Sequence, residues 1–141
     1  MARMSESQWK EFVGAGTRTG KLATTRSDGR PHVVPVWFVL DGDDVVFNTG
    51  ASTVKGRALA RNGWASICVD DERPPFSFVA ISGPVTLSDD LEAMLPWATR
   101  IAARYMGEEL AERYGRRNAV AGELLVRLHA EHVLALADLA D

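Results

Sequence analysis

A chain of 141 residues, 46% hydrophobic and 25% charged, has the make-up of a folded domain and lies outside the compositions of disordered or membrane-embedded chains. Its 16 basic and 19 acidic residues leave a formal net charge of −3 and are mixed along the chain, so no field of one sign draws in nucleic acid. No apolar run approaches the roughly 18 residues that a membrane helix needs, no signal core follows Met1, and Cys68 stands alone, so a cytoplasmic chain without disulfides or a multi-cysteine metal site is expected.

No repeat, low-complexity tract or Pro/Gly/Ser linker divides residues 1–141, which are read as a single domain. Trp9, Phe12 and Val13 recur at helical spacing over Ser7–Val13, and Gly14 and Gly16 suit a helix stop. Extended segments follow at Lys21–Arg26, His32–Leu40 and Val45–Thr49. They are separated by Asp28-Gly29 and Asp41-Gly42, whose glycines accept the positive φ of tight hairpin turns. His32–Leu40 is apolar on both alternating faces, so one face fills a core and the other meets a helix, a second subunit or a ligand. Pro35 has no N–H to give to a ladder, which places this strand at an edge or on a bulge.

Ser52 or Thr53 can cap a short helix that turns Val54, Ala58 and Leu59 inward and leaves Lys55, Arg57 and Arg61 outside. Two strands follow, Trp64–Asp70, in which Cys68 reads as a buried packing residue, and Phe76–Leu87. Ser88-Asp89-Asp90 begins a helical region in which Pro96 makes a kink or starts a second piece. Leu124, Val126 and Leu128 alternate in a late strand, and Val133–Leu136 can add another. Strands joined by Asp-Gly hairpins with few helices between them point to a mainly antiparallel barrel with helices at its margin, and argue against a doubly wound parallel sheet.

Chemistry concentrates in Asn48–Arg57. A strand ending in small residues at a helix N-terminus offers unpaired backbone N–H groups and the positive end of a helix dipole, and Lys55 and Arg57 add two cations within the first turns. The set suits an anion, although the same cations also suit the solvated face of a surface helix. Gly14-Ala15-Gly16 follows a helix and lacks the third glycine of a dinucleotide fingerprint. His32, His129 and His132 do not have metal-ligand spacing, no Gly-x-Ser-x-Gly elbow is present, and the arginines at 100, 104, 113, 116 and 117 alternate with glutamates as solvated helix faces do. Of Trp37, Phe76 and Phe78, one reads as a core aromatic and the other two can wall a flat cofactor ring.

Four stretches in this order, Thr19–Thr24, Asp28–Phe38, Thr49–Arg57 and Val69–Phe78, followed by Ser82-Gly83-Pro84-Val85, resemble the pyridoxamine-phosphate-oxidase-like split barrels, and within them the deazaflavin-dependent oxidoreductases. The resemblance covers roughly residues 17–87 and is weaker over Ile101–Gly107 and Val126–Leu136. It implies a six-stranded antiparallel split β-barrel with flanking helices, paired as a homodimer that holds a cofactor in each of two grooves between the subunits. Lys55 falls at the position of the family's phosphate-binding lysine. Pro35, Val36 and Trp37 fall on the strand along the cofactor ring, and Phe76, Ser77 and Phe78 on the segment given by the opposite subunit. Ala58 departs from the asparagine that many relatives carry.

The cofactor-binding residues so implied are Pro35, Val36, Trp37, Thr49, Ser52, Thr53, Lys55, Gly56, Arg57, Phe76, Ser77 and Phe78, with no metal and no nominated catalytic acid. The implied activity is hydride transfer from reduced coenzyme F420 to an unsaturated small organic substrate. The alternatives are an FMN reductase or oxidase and a non-catalytic cofactor carrier. Oxidation of pyridoxamine phosphate is disfavoured because Ala121–Asp141 lacks that enzyme's C-terminal substrate-binding motif.

Overall fold

In the computed structural model, which describes residues 1–141, a two-residue strand β1 (Ala2–Arg3) precedes helix α1 (Glu6–Gly14). Ser5 caps that helix reciprocally: its hydroxyl accepts from the Gln8 amide, and its own amide donates to the Gln8 side chain. Both Asp-Gly turns form as the sequence predicts. Gly29 and Gly42 take φ of 86° and 60° between β2 (Gly20–Thr25) and β3 (Pro31–Val36), and between β4 (Val39–Asp41) and β5 (Asp44–Gly50). Helix α2 (Val54–Asn62) leads to β6 (Trp64–Asp71) and the long β7 (Ser77–Ser88). Helices α3 (Leu91–Met106) and α4 (Glu108–Asn118) then precede β8 (Glu123–Leu128) and β9 (His132–Ala137).

The antiparallel sheet runs β3-β2-β6-β7-β8-β5-β4, and β9 pairs with β7 and β1. It curls as a split barrel does, because its two terminal strands, β3 and β4, are consecutive in the chain. β7 serves both halves: Ser77–Pro84 pairs with β6, and Val85–Ser88 pairs with β8. At the changeover sits Gly83, where a Cβ would run into the His129 carbonyl, so only glycine lets the β8–β9 turn cross so closely.

Nine strand segments replace the six expected. The reading of His32–Leu40 as one strand is corrected: the backbone leaves the ladder at Trp37 and Phe38, so β3 pairs with β2 and β4 with β5. At the break the Phe38 backbone bonds to α3 in place of a strand, its N–H to the Tyr105 hydroxyl and its carbonyl to Arg104, while its ring is fully buried in the barrel core. β1 and β9 make up the remaining difference. Pro96 does not start a second piece, because α3 runs on through it from Leu91 to Met106. It sits in the second turn, where the missing N–H removes a single helical bond, and the break comes instead at Gly107, with φ of 92°.

Two cores account for runs that are apolar on both faces. The larger packs Leu22, Phe38, Val45, Phe47, Leu59, Ile67, Val79, Ile81, Val126 and Leu128 inside the barrel. The smaller sets Val39, Val46 and Leu125 from the outer side of β4, β5 and β8 against Met94 and Ile101 of α3. Cys68 belongs to neither. Ile67 and Val69 take the inward positions of β6, so Cys68 alternates to the outer face, half-buried opposite Lys21 and Ala80. Burial and the nearby Asp70 push its thiol pKa up.

Candidate functional site

The end of β5 and the start of α2 meet because Thr53 caps the helix. Its hydroxyl accepts from the Gly56 amide at 3.1 Å and donates to the Gly50 carbonyl at 2.7 Å. Gly56 makes the close approach possible, since a Cβ there would run into the Gly50 carbonyl. This junction presents Lys55, half-buried, to a cleft of about 350 Å³ that is also lined by Pro35, Val36, Trp37, Asn48, Thr49, Gly50, Ile101, Asn118 and Glu123.

Pro35 lies on β3, an edge strand hydrogen-bonded only to β2, as its missing N–H predicts. Thr49 is 4% exposed, and its hydroxyl has no hydrogen-bond partner. A buried hydroxyl without a partner is costly unless something else supplies one. The cleft also contains a carboxylate: Glu123 accepts from the Asn48 amide group at 3.0 Å, and the same group donates to the Asn118 carbonyl at 3.4 Å. Beside one cation, Lys55, the cleft therefore holds an amide and a carboxylate, while Thr49 alternates with Asn48 and turns its hydroxyl into the barrel beside Leu124.

Pro35, Val36, Trp37, Thr49 and Lys55 are thus brought together. Thr53 and Gly56 shape the helix start, and Ser52 and Arg57 are exposed next to it without lining the cleft. Phe76, Ser77 and Phe78 lie elsewhere in their own chain. Phe76 has φ of 63° and its carbonyl accepts from Leu139, while the Ser77 hydroxyl accepts from the Asp138 amide, so the three residues border the C-terminus.

The sequence reading missed Tyr105 and misjudged Arg104. Tyr105 stacks on Trp37 with ring centroids 5.0 Å apart and planes 5° from parallel. Its hydroxyl donates to the Arg18 carbonyl at 2.9 Å, and burial pushes its pKa up. Arg104 is not a solvated, ion-paired arginine: it donates to the carbonyls of Val13, Gly16 and Phe38 at 2.8–2.9 Å, and burial lowers its pKa. An amphipathic pattern shows which residues lie on a helix face, and carries no information on which carbonyls a long arginine will reach. The histidines are dispersed: His32 lies beside Arg26, and His129 bridges Asp44 at 3.1 Å and Thr86 at 3.3 Å.

Comparisons with known proteins agree with this architecture. Among solved structures, a conserved hypothetical protein from Mycobacterium tuberculosis superposes with a TM-score of 0.83 at 26% identity, over 96% of this chain and 86% of that one. An F420 reductase gives 0.72 at 21% identity, covering 94% and 98% of the two chains. The heme storage protein of Vibrio cholerae gives 0.74 at 20%, covering 96% and 98%. The last two likenesses are of fold. No curated protein matches the sequence. The family model described as pyridoxamine 5'-phosphate oxidase matches residues 5–137, and the chain belongs to that family.

Proposed function

We propose that this protein is an F420-dependent oxidoreductase that binds the deazaflavin in the cleft of Lys55. The observation that carries the reading is the convergence, in one cleft, of Lys55 near a helix N-terminus with the end of the edge strand at Pro35–Val36 and the Trp37 ring beyond it. These groups fit a phosphorylated cofactor with a planar ring: the cation and the α2 N-terminus suit phosphate, and the edge strand with Trp37 suits the ring. When bound, the reduced coenzyme supplies a hydride for an unsaturated small organic substrate. The chain's own part is to hold phosphate with Lys55 and the neighbouring Arg57, to fix the ring along Pro35–Trp37, and to keep water from the reacting face.

The same groups would hold FMN. The preference for F420 rests on the sequence motifs, which resemble the deazaflavin branch most closely. Titration of the purified protein with F420 and FMN, followed by fluorescence, tests it. F420 is expected to bind more tightly, whereas tight FMN binding without a response to F420 overturns the assignment. A Soret band on heme addition, with no response to either flavin, would make the protein a heme binder instead.

The reading includes a cytoplasmic homodimer. The outer face of β3, β2, β6, β7 and β9 exposes Val33 (60%), Trp64 (43%) and Leu134 (43%) around the small residues Ala23 and Ala80, a surface suited to a second copy. Phe76, Ser77 and Phe78 would then close the groove of the opposite subunit.

A further inference from the structure

The break between β3 and β4 is tied to α3, although only Trp37 of its residues is exposed. Phe38 contributes no ladder bond at this point, yet both of its backbone groups are held by the last turn of α3. Its N–H donates to the Tyr105 hydroxyl at 3.4 Å, and its carbonyl accepts from Arg104 at 2.9 Å. The Arg104 guanidinium also lies 4.6 Å from the centre of the Phe38 ring and 5.0 Å from that of Tyr105. Trp37, next along the chain, has one indole face covered by Tyr105 and remains 38% exposed, bordering the cleft of Lys55.

We infer that Tyr105 is a positioning residue that holds the Trp37 indole as a flat platform for the ring of the bound cofactor. The inference rests on the functional reading above and specifies how the ring end of the ligand is recognised. An indole on an exposed turn would sample several rotamers. Stacking on a half-buried tyrosine whose hydroxyl bonds to Arg18 and Phe38 selects one of them before the ligand arrives. A planar, electron-poor heteroaromatic ring gains from an electron-rich indole presented in this way. Arg104 and Tyr105 together make the platform rigid, and neither needs to touch the ligand.

The test compares wild type with Tyr105→Leu, Tyr105→Phe and Trp37→Leu. Dissociation constants for FMN and F420 and the fluorescence quenching of the bound ring are measured, with ribose 5-phosphate as a ligand that has the phosphate and lacks the ring. Tyr105→Leu and Trp37→Leu are expected to weaken ring ligands about three- to tenfold and to relieve quenching, with ribose 5-phosphate affinity unchanged. Tyr105→Phe, which keeps the stack, is expected to restore most of the quenching. Equal losses for ribose 5-phosphate and ring ligands would make Tyr105 a structural residue only and overturn the inference. Unchanged ring binding in Trp37→Leu would overturn it too, even if Tyr105→Leu does not fold. A wild-type protein that binds neither ring ligand would overturn the functional reading and this inference with it.

Discussion

Lys55 and Arg61 sit on one short helix in different surroundings. Lys55 borders the cleft near the N-terminus, whereas Arg61, in the last turn, donates to the Thr25 carbonyl at 2.9 Å. A charge-assisted bond to phosphate contributes roughly 1.5–3 kcal/mol, so Lys55→Ala should weaken cofactor binding about ten- to a hundredfold. Arg61→Ala should leave affinity nearly unchanged, because the dipole effect fades beyond the first turn. Both constants should be measured at one ionic strength, and equal losses would point to a diffuse basic face. Lys55 was legible because a helix start with a cation has a local pattern. Glu123 was not, because it reaches the cleft only through the β5–β8 register, which places Glu123 opposite Gly50. Tyr105 was hidden for the same reason: its stack with Trp37 joins positions 68 residues apart, which no periodicity reports.

At the scale of elements, the α2 N-terminus depends on two residues that do different work. Thr53 supplies the cap, and Thr53→Ala should destabilise the protein by about 1 kcal/mol. Gly56 supplies room, and Gly56→Ala forces the helix away from the Gly50 carbonyl at a cost of about 1–3 kcal/mol. Urea unfolding should rank them in that order, and Gly56→Ala should also lose cofactor affinity, since it displaces the helix end that carries Lys55. The two Asp-Gly hairpins and the α2 cap were readable because turn and cap chemistry are local. The division of His32–Leu40 was not, because an unbroken apolar run looks the same whether it serves one core or two. Here Phe38 serves the barrel and Val39 the layer under α3.

For the molecule as a whole, the exposed apolar sheet face and the placement of Phe76–Phe78 away from their own cleft lead to the same expectation. Light scattering at micromolar concentration should give a dimer mass with cofactor present, and a monomer would remove the shared groove. Asp71 ties the approach to β2 through Arg18 at 3.0 Å and the β6–β7 turn through Arg73 at 3.1 Å, so a contribution to stability that falls away in acid is expected of it. Hydrogen bonds from the Arg73 side chain and backbone hold its carboxyl well below the usual carboxylate range. A folded-state pKa below the unfolded one gives a contribution that is complete above the ordinary carboxylate range and is lost as pH falls through the depressed value. Asp71→Asn should therefore lower Tm at pH 7, and thermal scans should show the gap to wild type closing only in strongly acidic solution.

The two residues between β3 and β4 carry a further consequence, for how the protein can change over time. Val36 and Phe38 must both reach the interior, and the edge strands on either side are locked in register by β2 and β5. An inserted or deleted residue here would turn Phe38 outward and Trp37 into the core, because side chains alternate along an extended chain. The side chain at position 37 can be exchanged without disturbing the barrel, whereas the spacing around it cannot. In the proposed cofactor site, new ligand preferences at this wall would therefore arise by substitution and not by insertion or deletion.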